Sequence, residues 1–148
     1  MKLLLERWNK FLNEEEEKEK VIPSREEMEA IIQNDPEQEM NIDAPKGSEK
    51  MFGGKEPRKL PFDYGEWPNY INPADNMGWD FIIVPSAGKD TPDLRPAGYV
   101  IYTNEYKEKF GNDKIIIAPG GVAKGSDKKV IDDFFGEMKG RFVAPHWY

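Results

Sequence analysis

Hydrophobic positions change their period along this chain near residue 41. Before it, Leu4, Leu5, Trp8, Phe11 and Leu12 recur at helical spacing, which predicts a short amphipathic helix over residues 2–13. The acidic run at residues 14–17, with Lys18 and Lys20, reads as a solvated face. A second helix is predicted in PSREEMEAIIQN. There Ser24 and Glu27 form a capping box, Pro23 precedes it, and Met28, Ile31 and Ile32 make the apolar side.

Beyond residue 41, short apolar runs alternate with Pro- and Gly-containing turns. DFIIVP, AGYVIYT and DKIIIAPG, rich in Ile, Val and Tyr, predict strands. SDKKVIDDFFGEMKG is the helix of this half, with Val130, Ile131, Phe134 and Phe135 on its apolar face and Gly140 at its end. Several short strands with one late helix predict a small β-barrel or curled sheet with helices packed outside. The texture divides the chain into an acidic helical extension, residues 1–40, and a β-domain, residues 41–148.

Composition narrows the chemistry. The 148 residues contain no cysteine and one histidine, His146. Disulfides, thiolate metal sites, thiol nucleophiles, histidine-based zinc sites and a Ser/His/Asp triad all lose their support. The first 40 residues carry 6 Lys/Arg against 12 Asp/Glu, net −6, and the rest carry 15 against 16, net −1. Neither part has the basic excess of a nucleic-acid groove. No run reaches the ~20 apolar residues of a membrane helix, and MKLLLERW returns to charge too soon for a secretory signal. The expectation is a cytoplasmic protein with neither nucleic acid nor membrane as partner.

What remains is carboxylate and lysine chemistry, which suits metal-assisted phosphoryl transfer. In PADNMGWDFIIVP, Asp75 and Asp80 flank a Gly-containing turn at a strand mouth. Two such carboxylates can serve a hard cation such as Mg²⁺, and they serve equally as ordinary turn residues. The polar segment TNEYKEKFGNDK places Asn104, Glu105, Asn112 and Asp113 before Lys114. It reads either as an oxygen cluster with a phosphate-holding lysine or as a solvated hairpin loop. Asp43, Lys46 and Lys50 surround Gly47 at a spacing that matches no P-loop, and Lys139 and Arg141 suit a helix C-terminus in any case.

In this order, the segments resemble the family I soluble inorganic pyrophosphatases. IDAPKGSEK is similar to that family's opening I-E-I-P-x-G-S…K, and LPFDYGEW to its Y-P-x-N-Y-G-x-I. ADNMGWDFIIVP resembles the signature D-x-D-P-x-D with its apolar strand, and PAGYVIYTNEYKEKFGNDKIIIAP the P-V-G-x…D-E…D-x-K-(I/L)-x-A-V-P stretch. IDDFFGEMKG resembles the late helix ending F-F-x-x-Y-K. The resemblance spans roughly residues 41–143 and leaves the first forty outside. It implies an α+β, mainly β fold: a closed, mostly antiparallel OB-like barrel with flanking helices. It also implies Mg²⁺-dependent hydrolysis of pyrophosphate by a metal-activated water, in a protein that commonly forms homo-oligomers.

Residue by residue, the resemblance makes Asp75 and Asp80 metal ligands and Tyr64 a phosphate-binding phenol. Lys114 and Lys139 become phosphate-holding lysines. Asp43 stands where the family has a supporting glutamate, and Lys50 and Arg58 stand in for an early lysine and arginine. The departures are specific. The signature's middle aspartate falls on Met77, two metal-ligand aspartates fall on Asn104 and Asn112 with Asp113 beside, and a phosphate-binding tyrosine falls on Met138. Asn still offers an oxygen, whereas Met77 can neither take a proton nor bind a hard cation. Asp63, Glu66, Glu105 and Asp113 are the carboxylates that could compensate. The alternative is a pyrophosphatase-like module that binds phosphate ligands or a protein without turnover. FLNE, at positions 11–14, also resembles the end of leader peptides that target proteins into tailed-phage proheads. A phage origin would place the protein in the host cytoplasm.

Overall fold

Ser24 starts a helix as its spacing predicts. Its Oγ accepts the Glu27 N–H at 3.1 Å and its carbonyl accepts the Met28 N–H at 3.1 Å, opening α1, Arg25–Ile32. In this computed structural model the chain is described at residues 22–32, 39–51, 56–73, 76–102, 113–138 and 141–148. The helix expected at residues 2–13 lies outside them.

Eight strands follow: β1 Asn41–Ala44, β2 Glu49–Lys50, β3 Arg58–Lys59, β4 Asp63–Asn72, β5 Met77–Ile83, β6 Leu94–Val100, β7 Lys114–Pro119 and β8 His146–Trp147. Helix α2, Gly125–Gly136, lies between β7 and β8. Six strands form one sheet in the order β1-β4-β5-β7-β6-β8, and β2 and β3 make a separate antiparallel ribbon. The three predicted apolar runs supply β5, β6 and β7. The long β4 was not predicted as a strand, because Gly65 and Pro68 interrupt its apolar pattern.

The expected closed, mostly antiparallel barrel is shown only as a mixed sheet. β5 and β7 pair in parallel, with Asp80 opposite Lys114 and Phe81 opposite Ile115. Among the described residues no ladder joins the edge strands β1 and β8, so no closed barrel is formed there. Among the described residues the structure shows a mainly β fold with one mixed six-stranded sheet and two helices. No described helix is long and apolar enough to cross a membrane.

Both faces of this sheet are covered, which is why β7 reads KIIIAP with no polar alternation after its lysine. On one face Phe62, Tyr64, Ile82, Val84, Ile116 and Ala118 meet Ile131, Phe134, Phe135 and Met138 from α2 and the turn after it. On the other, Trp67, Trp79, Phe81, Tyr99, Ile115 and Ile117 meet Met28 and Ile32 of α1. The core therefore includes residues of the segment assigned to the acidic extension. Val130, expected on the apolar face of α2, stays 37% exposed. Tyr148 Oη donates to the Pro23 carbonyl at 2.8 Å, and Arg25 Nη2 to that of Gly121 at 2.7 Å, fastening α1 to the sheet.

Gly65 is required where β1 crosses β4, because a Cβ there would sit 2.0 Å from the Asn41 carbonyl oxygen. Gly65→Ala is expected to detach β1, with its backbone amides losing exchange protection. Phe62→Ala would empty the space beside Phe134, whose ring centroid lies 5.1 Å away, at a cost of about 3–5 kcal/mol measurable by urea unfolding.

Candidate functional site

Strand register decides which of the sequence's candidates meet. Side chains alternate across a sheet, and residues directly opposite one another share a face. Glu66 on β4 lies opposite Asp80 on β5, and Asp80 lies opposite Lys114 on β7. Glu66, Asp80 and Lys114 thus form one transverse row on the α2 face. Tyr64, two residues before Glu66, lies on the same face in the core with α2.

Within this row Lys114 is 2% exposed. Its Nζ donates to Tyr64 Oη at 3.0 Å and to Asp80 Oδ2 at 3.2 Å. The ammonium also lies 5.1 Å from the Tyr64 ring centroid, and Lys50 Nζ, from the ribbon, lies 4.8 Å from it. Two cations thus share one aromatic ring.

Burial pulls the Lys114 ammonium below the ordinary lysine value; Asp80 opposes this and Lys50 adds to it. Burial pushes the Tyr64 phenol far above the usual tyrosine value. The charge of Asp80 and its hydrogen bond act in the same direction, followed by Asp43 and Glu66. Asp43 sits at a bulge in β1, between Ile42 and Ala44, so its field reaches Tyr64 from the neighbouring strand.

The remaining expectations separate. Asp113, one residue before Lys114, faces the opposite side of the sheet. Its carboxylate accepts from Tyr99 Oη at 2.7 Å and from the Tyr102 N–H at 3.0 Å. As a ligand beside Asp80 it is therefore corrected to a buried anchor of β6. Arg58 is near the ribbon's lysine but ion-pairs with Glu137 at 2.7 Å. Asp63 accepts the Lys46 N–H at 2.7 Å at the start of β4. Met77 opens β5 at 62% exposure, and alternation turns it away from Asp80. Met138 is buried in the core with α2. His146 is exposed in β8. Asp75, Asn104, Glu105, Asn112 and Lys139 lie outside the described residues.

Of the possible substitutes for the carboxylate missing at Met77, Glu66 is the one this face contains among the described residues. Its place was not legible from the chain, because nothing in EWPNY announces a strand in register with Asp80. Gly78 makes room for it, since a Cβ there would approach Glu66 Oε2 to 3.2 Å and the Trp67 carbonyl to 2.5 Å. The carboxylates here are all oxygen donors, the chemistry a hard cation requires. Among the described residues no three such groups gather closely enough to hold a metal ion by themselves. A Mg²⁺ ion here would keep much of its water, as Mg²⁺ commonly does.

No protein-family model matches this chain, and no curated protein or solved structure shows a significant match to it.

Removing Asp80 leaves a buried ammonium short of its counter-charge. Asp80→Ala is expected to cost about 3–5 kcal/mol, and adding Lys114→Met is expected to recover part of it in urea denaturation. A second expectation concerns pH. The raised phenols of Tyr64, Tyr99 and Tyr148 stay protonated in the native state while unfolded tyrosines ionise near pH ~10. Their stabilising contribution is complete below that pH and is lost as pH rises past it. Lys114 has the opposite sign, its cost easing as pH rises toward the unfolded lysine value of about 10.4. Ultraviolet titration is therefore expected to show no tyrosinate from Tyr64, Tyr99 or Tyr148 until the chain unfolds.

Proposed function

We propose that this protein hydrolyses inorganic pyrophosphate with Mg²⁺, as a divergent relative of the family I soluble pyrophosphatases. The observation that carries the reading is the meeting of Lys50, Tyr64, Asp80 and Lys114 on one face, from four strands of two sheets. The family resemblance names these four positions from sequence order alone, and order along the chain does not require contact in space.

On this reading Lys114 and Lys50 offset the charge of a phosphate group, acting as point charges with several donors each. Tyr64 holds its phenol proton at neutral pH and orients the Lys114 ammonium. Asp80 serves both sides, offering one oxygen to a cation and the other to Lys114. Glu66, directly across from Asp80, is the group on this face able to accept a proton where Met77 cannot. When bound, Mg²⁺ supplies further neutralisation of phosphate oxygens and activation of water. The six-stranded sheet with its ribbon is read as a variant of that family's closed barrel.

A second reading has its own observation. Met77 is exposed and turned away from Asp80, so the position that bears an acid in the signature contributes no chemistry. A phosphate-binding module without turnover follows from that loss.

Phosphate release from pyrophosphate, with Mg²⁺ and with chelator, separates the two. The enzyme reading expects Mg²⁺-dependent release that drops at least 100-fold in Asp80→Asn (about the loss of one transition-state contact) and falls in Glu66→Gln. Asn is chosen over Ala so that Lys114 keeps a hydrogen-bond acceptor. Pyrophosphate binding without release favours the module, and neither binding nor release rejects both.

A further inference from the structure

We infer that Glu137 is an internal competitor for the phosphate site: its carboxylate occupies Arg58 and sets how tightly the site takes a polyanion. The inference rests on the reading of the Tyr64–Lys114 face as a phosphate site and names a residue that controls its affinity.

The ribbon places Arg58 directly opposite Lys50, so the two side chains share a face. Lys50 on that face reaches the Tyr64 ring. Arg58 is thus aimed at the same side of the fold as the two lysines. Its Nη1 is held at 2.7 Å by Glu137 Oε2, with side-chain exposures of 33% and 65%. A guanidinium presents a fork suited to phosphate oxygens, and here a carboxylate already uses part of it.

The position of Glu137 is not explained by the helix it ends. It is the C-cap of α2, its N–H donating to the Asp133 and Phe135 carbonyls. A negative side chain at a helix C-terminus meets the negative end of the dipole, and the last turn of α2 carries no basic residue to offset it. The next residue, Met138, is buried in the same core cluster as Tyr64, which anchors the backbone of Glu137 on the α2 side of the sheet. The largely exposed carboxylate can swing into water by a change of rotamer alone. Binding of a phosphate to Arg58 therefore exchanges one anion for another. The apparent affinity falls by the fraction of molecules in which the guanidinium is free.

The size of the effect follows from exposure. An ion pair this accessible is weak, so releasing it is expected to change affinity by about two- to fivefold. The contact tunes the site without closing it, and it favours multiply charged anions over single charges that cannot displace a carboxylate.

The test is calorimetric titration of the full chain with pyrophosphate in the presence of chelator, so that Mg²⁺-dependent turnover does not consume the ligand. Glu137→Gln, which keeps size and removes charge, is expected to tighten binding about two- to fivefold. Arg58→Ala is expected to weaken it, and Glu137→Gln in the Arg58→Ala background is expected to add nothing. Asp133→Asn, one turn earlier on the exposed side of α2, is expected to leave affinity unchanged. Wild-type binding that is indifferent to Glu137→Gln overturns the inference and leaves the site reading standing. A gain that persists without Arg58, or that Asp133→Asn reproduces, overturns it in favour of general charge repulsion. Absence of pyrophosphate binding in the wild type and all variants overturns the phosphate-site reading and this inference with it.

Discussion

A lysine ammonium inside a sheet is the constraint around which this fold is arranged. Lys114 is buried at the start of β7, and taking its charge out of water costs several kcal/mol unless it is paired and hydrogen-bonded. Asp80 supplies the charge and Tyr64 a second acceptor. Both must arrive from other strands, so the pairing specifies register. A slip of β7 by one residue against β5 would turn Lys114 into the apolar cluster of Trp79 and Phe81 and bring Asp113 to the α2 face. Instead Asp113 is caught on the far side by Tyr99 and the Tyr102 N–H. Two consecutive charged residues are thereby buried on opposite faces, each with its own partners.

On the proposed reading, the groups that hold the fold are also those that a phosphate and its cation would use. On that reading Asp80 is shared between a cation and Lys114, and Lys114 cannot turn fully to a phosphate without loosening Asp80. Such sharing ties stability to occupancy, since whatever binds the native face also stabilises it. It also sets the local balance of charge, with Glu66, Asp80 and Asp43 on one side and Lys50 and Lys114 on the other. Arg58 and Glu137 repeat this arrangement at the rim, where water weakens it.

Much of the local structure was legible in the chain. Ser24 and Glu27 announce α1, the FF pair and its spacing announce α2, and the three Ile- and Val-rich runs announce β5, β6 and β7. Helix caps and apolar runs act over a few residues, so their signals lie in contiguous sequence. β4 was hidden for a physical reason: it mixes Gly, Pro and acidic residues because one of its faces carries the polar row. The short β1, β2, β3 and β8 have too few residues to show a period at all. The parallel pairing of β5 with β7 depends on where β6 lies and leaves no local mark.

The candidate site divides along the same line. Sequence by itself narrowed the candidate chemistry: with no cysteine and one histidine, carboxylates and lysines remained as candidates, and the order of segments pointed to Tyr64, Asp80 and Lys114. Tertiary structure alone decided the grouping. It set Glu66 across from Asp80, sent Asp113 and Met77 to the other face, and tied Arg58 to Glu137. The reason is that residue type is a local property, whereas alternation across a sheet makes a side chain's face depend on its register with strands tens of residues away.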